Sequence, residues 1–416
     1  MKKISRRQFM TVAGVLSAAG MLTACGGSSS STAPASSAAG TADAVYKIAM
    51  ITDYGDITDQ SFNQTTWEAC VKFGKDNGVD VKYYKPVAND TAGRVQQVEM
   101  AIAEEYNVIV MPGYAFGGTI VECASLYPEV KFIALDVGKG DLLETAVANA
   151  GESYDYNPDN WDLAKYVDMS NVYSAIYKEE LCGYMAGYAA VKLGYTKLGF
   201  LGGMAVPAVI RYGYGYVQGA DAAAKELNIN IDIKYVYGNQ FYGDADIKAY
   251  MDTWYTTGTE VVFACGGGIY TSAVDAAKEV KGAKVIGVDV DQSGIIAAYA
   301  AGEDGDASAY ADLTVTSAMK GLAPTTIDTL TDVVINGNWD KYVGKIETLG
   351  LVSADDPTLN YVQIPATTQY VDGKFTEADY KALVAGMYNG SIKVSDDIDA
   401  EPEVTNSNVE YLGSIK

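Results

Sequence analysis

The chain contains no histidine in 416 residues. That absence removes the commonest general base and the commonest metal ligand together, so serine or cysteine triads built on His are excluded. Cysteine is scarce. The four after Cys25, at positions 70, 123, 182 and 265, lie too far apart for any Cys-x-x-Cys zinc or redox motif. Cys70 and Cys182 fall in helical patterns and Cys265 in a strand pattern, which reads as buried thiols, with a single disulfide left open outside the cytoplasm. Basic residues are also few, 30 Lys and Arg against 53 Asp and Glu, giving a formal charge of -23. Such a surface repels DNA, RNA and anionic lipid, which argues against nucleic-acid partners and against attachment through a basic patch. After the first two dozen residues no apolar run is long enough to span a bilayer.

The first residues carry what the rest lacks. Lys2, Lys3, Arg6 and Arg7 precede an uncharged stretch, 8–24, that is too short to span comfortably and ends Leu22-Thr23-Ala24-Cys25-Gly26. A basic head, a short apolar core and small residues before a processing site describe an export signal. Leu-Thr-Ala-Cys resembles a lipobox, which implies acylation of Cys25 and a protein tethered at the extracytoplasmic face of the cell membrane. Ser5-Arg6-Arg7-Gln8-Phe9-Met10 resembles a twin-arginine motif, although two arginines that merely supply charge read equally well. Losing the four basic residues of the signal takes the formal charge from -23 to -27. The segment 26–44 is almost entirely Gly, Ser, Ala and Thr, a flexible tether with a reach of about 25 Å.

The remaining residues exceed one ordinary core and point to two lobes. Strand patterns at 47–52, 79–84, 108–111 and 131–135 alternate with helical patterns at 62–75, 92–105 and 118–126. A second series places strands at 197–201, 231–237, 261–264 and 284–288, with helices at 207–227, 245–255 and 271–281. Strand-helix alternation of this kind predicts parallel sheets covered on both faces. The fold expected is α/β, two doubly wound parallel-sheet lobes joined by a hinge. The organisation expected is a signal at 1–24, a linker at 25–44, a first lobe at 45–172, a second lobe at 173–314, and a return to the first lobe with the C-terminal tail at 315–416. The polar, aromatic segment 151–171 reads as a loop insertion. Residues 173–192 read as the helix that opens the second half, and 315–335 as an amphipathic stretch that returns to the first. In such folds ligands sit beyond the carboxyl ends of the strands.

At the first of those ends the chain reads Ile51-Thr52-Asp53 and continues through Asp59-Gln60-Ser61-Phe62-Asn63-Gln64 into a helix. Ser61 or Asp59 would cap that helix. Phe62, an aromatic at its first turn, is placed to stack a flat ring. The run Lys47-Ile48-Ala49-Met50-Ile51-Thr52-Asp53, with Asp59 to Gln64 and Trp67-Glu68, resembles the opening of the basic membrane protein family. These are substrate-binding lipoproteins of ABC transporters, many of which bind purine nucleosides. The resemblance continues through Phe132-Ile133-Ala134-Leu135-Asp136, Lys197-Leu198-Gly199-Phe200-Leu201-Gly202-Gly203, Gly266-Gly267-Gly268, Ile286-Gly287-Val288-Asp289-Val290-Asp291-Gln292 and Thr316-Ser317-Ala318-Met319-Lys320, covering roughly 46–393.

The resemblance implies a periplasmic-binding-protein type I-like fold and a set of ligand-binding residues. Phe62 would stack on the base, Asn63 would be a polar partner, and Asp53 and Asp136 would stand at strand ends of the first lobe. Asp289 would hold ribose hydroxyls from the second lobe, with Lys320 close to the sugar. The second stacking ring is Tyr212, where the family commonly has phenylalanine, or Phe241. Stacking on a purine contributes ~1–3 kcal/mol per base in nucleic-acid complexes, and ionised carboxylates accept from ribose hydroxyls or an exocyclic amine. Each residue also has an ordinary reading: lobe packing for Phe62, a cap or turn for Asp136, a turn paired with Asp291 for Asp289, and a solvated helix residue for Lys320.

The function implied is capture of a nucleoside between two lobes and presentation to the permease subunits of an ABC transporter. Neither catalysis nor a cofactor or metal is expected. Gly266 to Gly268 lacks the Gly-Lys-Ser/Thr of a phosphate loop. A receptor for a sugar or other small solute, a nucleoside hydrolase working through carboxylates such as Asp53 and Asp289, and a sensor stay open as alternatives.

Overall fold

The computed structural model describes residues 45–416. The expected signal, Cys25 and the linker therefore lie outside the described residues. Strands β1 (Lys47–Ile51), β2 (Asp80–Tyr84), β3 (Val108–Pro112), β4 (Lys131–Leu135) and β5 (Val172–Tyr177) begin one sheet. Strands β6 (Lys197–Gly202), β7 (Ile231–Tyr237), β8 (Val261–Cys265), β9 (Lys284–Asp289) and β10 (Thr314–Lys320) begin another. Three later strands, β11 (Lys345–Leu349), β12 (Val362–Gln363) and β13 (Ser407–Ser414), complete them.

The orders are β11-β5-β4-β3-β1-β2 and β12-β10-β9-β8-β6-β7-β13. Every pairing is parallel except that of β12 with β10. The core strands β3 (Val-Ile-Val-Met-Pro) and β8 (Val-Val-Phe-Ala-Cys) are buried at every residue, as strands covered on both faces must be. In each sheet the first strand lies between the second and third, which makes the switch point where a doubly wound sheet opens a crevice. Among the described residues no helix is long and apolar enough to cross a membrane.

Two assignments differ from the sequence reading. Residues expected to open a helix at 173 instead form β5 of the first sheet, and the helix begins at Glu179 and runs to Leu193. Val-Tyr-Ser-Ala-Ile-Tyr is buried on both faces and shows no alternation, so periodicity alone cannot distinguish it from the helix that follows. The first sheet thus extends past the expected boundary at 172. Likewise Thr314–Lys320 is a strand, β10, and the helix starts only at Leu322, beyond Gly321. Of the strands in 315–416, only β11 returns to the first sheet, whereas β10, β12 and β13 belong to the second. β13 finds its partner there by adding to the outer edge of β7.

Three segments cross between the sheets, after β5, after β10 and after β11, and they are stitched together. The Lys178 N–H donates to Leu349 O at 2.9 Å, Tyr361 N–H to Gly350 O at 3.0 Å, and Gly321 N–H to Tyr361 O at 2.7 Å. Three adjacent segments of chain that cross together make a hinge. The first two crossings also exchange a helix. The helix after β5 packs on the helix Pro207–Leu227 of the second lobe, and the helix Leu322–Leu330 after β10 packs on Phe62–Asn77 of the first. In the segment 151–171, Tyr154, Trp161 and Tyr166 form a chain of edge-on rings with centroids 5.8 and 5.6 Å apart.

Candidate functional site

The loop after β1 is organised by two carboxylates. Asp53 Oδ1 accepts the N–H groups of Tyr54 and Gly55, at 2.6 and 2.7 Å, and one N–H of the Asn63 amide at 3.1 Å. A Cβ on Gly55 would lie 2.6 Å from Asn63 Nδ2, so this close approach requires glycine. Asp59 caps the helix: it accepts from Ser61 N and Gln64 N with Oδ1, and from Asn63 N with Oδ2. Ser61 makes no cap bond. Its hydroxyl donates instead across the crevice to Asp289 Oδ2 at 2.6 Å, a contact between residues of different lobes.

Asp136 follows β4 and Asp289 ends β9, and both adopt left-handed backbone, with φ of 60° and 65°. Aspartate tolerates that region better than most side chains, and the turn projects each carboxylate off its strand end. Lys320, the last residue of β10, joins them. Its ammonium pairs with Asp136 Oδ2, lies 3.4 Å from Glu179 Oε1 and 3.8 Å from Asp289 Oδ1, and is almost wholly buried. It also stands 4.8 Å from the Phe62 ring centroid, 5.5 Å from that of Tyr212 and 5.6 Å from that of Tyr177. Glu179 is shared with Arg211, whose Nε donates to Oε2 at 2.6 Å.

Burial opposes charge on Lys320, yet the carboxylates of Asp136, Asp289 and Glu179 outweigh it and hold the amine well above its ordinary pKa. Burial pushes Asp136 up to about 6 despite the ammonium beside it, and raises Asp289 as well. Glu180 and Asp141 are each pushed up to about 7, chiefly by burial.

Of the residues expected from sequence, Phe62, Asp136, Tyr212 and Asp289 converge on the ammonium of another, Lys320, while Asp53 and Asn63 form a second, hydrogen-bonded group at the neighbouring loop. Tyr212 is buried and its hydroxyl donates to Asp289 Oδ1 at 3.3 Å. Phe241 is packed instead against the backbone of Gly203 and Gly266, where an added Cβ would come within 2.5 and 2.9 Å of its ring. Cys25 lies outside the described residues, and the other four cysteines are buried and free.

Several participants escaped the sequence reading. Glu179 is fully buried, and two consecutive glutamates opening an otherwise apolar helix were the available signal. Gln292, also fully buried, accepts from Val288 N at 2.9 Å and donates to Gln60 O at 3.2 Å, tying the lobes again. The hydroxyls of Tyr54 and Tyr114 both approach Met204 Sδ of the second lobe, at 3.9 and 3.7 Å.

Residues 46–364 match the family model described as ABC transporter substrate-binding protein PnrA-like. The chain belongs to that family. It is 27% identical over 266 residues to the ABC transporter nucleoside-binding protein BmpA of Lactococcus lactis subsp. cremoris, covering 61% of this chain and 66% of the relative. It is 27% identical over 252 residues to basic membrane protein B of Borreliella afzelii, covering 59% and 65%. Each match thus spans just under two thirds of the relative's length. An ABC transporter system solute-binding protein of Aeropyrum pernix K1 shares the fold, with a TM-score of 0.59, 19% identity, and coverage of 84% of this chain and 87% of that one.

Proposed function

We propose that this family member captures a purine nucleoside between its lobes and delivers it to the permease of an ABC transporter, held at the extracytoplasmic face of the membrane through acylated Cys25. The observation that carries the reading is the convergence of Phe62, Asp136 and Asp289, remote in sequence and drawn from both lobes, on Lys320. In this reading Phe62 stacks on the base, with Tyr212 as the second ring. Asp53 and Asn63 meet the base edge, and Asp136 and Asp289 accept from donors of the ligand beside Lys320. A relative that covers much of the same region is named a nucleoside-binding protein. Ligand that bridges both lobes stabilises the closed form by its differential affinity, and release on the permease reverses this.

Charge favours a nucleoside over a nucleotide. Asp136, Glu179 and Asp289 face Lys320 and Arg211, leaving one negative charge in surplus before Asp53 and Asp59 are counted. A phosphate would enter against that surplus. Titration calorimetry against adenosine, guanosine, inosine, ribose and the matching monophosphates tests the reading. Micromolar or tighter binding of at least one nucleoside is expected, with its monophosphate at least a hundredfold weaker; binding of ribose alone would sink the nucleoside claim. Inosine should also be recovered intact after prolonged incubation, and release of hypoxanthine would replace capture with hydrolysis.

A further inference from the structure

The side chain of Asn63 has no freedom in which way it faces. An amide offers two N–H donors on nitrogen and an acceptor on oxygen, and the two ends are told apart by what surrounds them. Here Nδ2 stands between two carboxylates, 3.1 Å from Asp53 Oδ1 and 3.0 Å from Asp59 Oδ2. Ionised carboxylates only accept, so turning the amide over would set its carbonyl oxygen against both and break both bonds. Both carboxylates are themselves fixed, Asp53 by the N–H groups of Tyr54 and Gly55, and Asp59 by those of Ser61, Asn63 and Gln64. Asn63 is 3% exposed, and its Oδ1 is buried with no hydrogen-bond partner among the described residues. A buried carbonyl oxygen without a donor is costly, so the position calls for one.

We infer that Asp59, acting with Asp53, locks Asn63 as an acceptor only, and that the ligand taken beside Phe62 is one whose base edge donates an N–H to Asn63 Oδ1. Resting on the nucleoside reading above, this narrows it to bases with an edge N–H. Adenosine supplies such a donor from its exocyclic amine and inosine from N1. Purine riboside has the same ring and sugar and no N–H on the base, so it would leave Asn63 unpaired inside a closed site. Asp59 is a positioning residue in this scheme: it shapes the ligand preference through Asn63.

The experiment is calorimetry of the full chain with adenosine, inosine and purine riboside. Purine riboside should bind at least tenfold more weakly than the better of the other two, because a site built around a hydrogen bond rejects the analogue that lacks it. A gap below tenfold overturns the inference while leaving nucleoside capture standing; no binding by any of the three, nor by guanosine, overturns both. The Asp59→Asn variant adds a second readout. Its new amide can turn an N–H toward residue 63 and release Asn63 to flip, so the ratio between adenosine or inosine and purine riboside should shrink to threefold or less. Loss of affinity by one common factor for all three ligands reduces Asp59 to a helix cap and overturns its positioning role. Should Asp59→Asn not fold, the ligand series on the unaltered protein decides alone.

Discussion

Asp136 at the end of β4 and Asp289 at the end of β9 occupy matching places in the repeated strand order and share the same left-handed backbone, but they are dressed differently. Asp289 has both oxygens engaged, by Ser61 from the opposite lobe and Tyr212 from its own. Asp136 has one oxygen on Lys320 and the other buried without a partner among the described residues. Donors already present therefore occupy part of the capacity of the second-lobe carboxylate, whereas the first-lobe one keeps a whole oxygen in reserve. A repeated fold has thus produced one carboxylate that also helps hold the lobes together and one with a whole oxygen left for a ligand. Both depend on the same ammonium.

Removing that ammonium should break the comparison most severely. Lys320→Met takes away the charge that faces Asp136, Glu179 and Asp289 and fills much of the same volume. Stripping the partner from buried charges typically costs ~3–5 kcal/mol, because the acids left behind stay desolvated. Urea unfolding at pH 8 should show a loss of that order, and nucleoside affinity should fall at least a hundredfold. A loss below about 1 kcal/mol would mean that water or proton uptake already neutralises the acids, and the ammonium would lose its place as the common anchor.

The exchanged helices differ as sharply as the two aspartates. In the second lobe, helices Glu179–Leu193 and Pro207–Leu227 touch backbone to backbone through Gly183, Gly187, Gly215 and Gly219. A Cβ on Gly187 would fall 2.1 Å from Tyr216 O, and one on Gly219 would fall 2.0 Å from Tyr184 O. In the counterpart pair of the first lobe, the helix Leu322–Leu330 buries Thr325, Thr326 and Thr329. Gly219→Ala should therefore force the second-lobe pair apart and cost ~1–3 kcal/mol, the usual range for overpacking. Thr326→Ala, a deletion in the first-lobe pair, should cost about 1 kcal/mol, since only a small buried group and its bond to Leu322 O are lost. Differential scanning calorimetry ranks the two, and equal losses would show that the glycine contact is not the tighter seam.

Much of this architecture was legible because its strands are short, apolar and followed by amphipathic helices: β1, β4, β6 and β9 were all readable in that way. The misread elements, β5 and β10, are fully covered strands that run directly into a helix, where a buried stretch carries no period to identify it. At the site, Asp136, Asp289 and Lys320 stood out by standing beside strand ends and by the family resemblance. Ser61 illustrates what stayed hidden. Sequence offered Ser61 and Asp59 alike as the cap of that helix; Asp59 is the cap, which leaves Ser61 free to reach the other lobe. Local sequence cannot foresee a partner 228 residues away. Glu179 was missed for the same reason, since its partners Lys320 and Arg211 belong to other elements.

The smallest expected effect concerns pH and again separates the lobes. Burial raises Asp141 to about 7 and Asp136 to about 6 at the rim of the first sheet, and Glu180 to about 7 on the helix that packs in the second lobe. Unfolded, all three ionise near 4. Between about pH 4 and 7 the folded protein thus holds protons that the unfolded chain has released, so stability rises as pH falls through that window. Below it the sign reverses: Asp244, kept at about 2 by the Ile247 N–H and Lys416, loses its favourable contacts as it protonates. Melting temperature should increase by several degrees from pH 8 to pH 5 and then decline. Asp141→Asn and Glu180→Gln should each flatten the rise, and Asp136→Asn should flatten it less, because its carboxyl is displaced least. A melting temperature that does not change between pH 8 and 5 would place these carboxyls in contact with water, and the two rims would then be electrostatically alike.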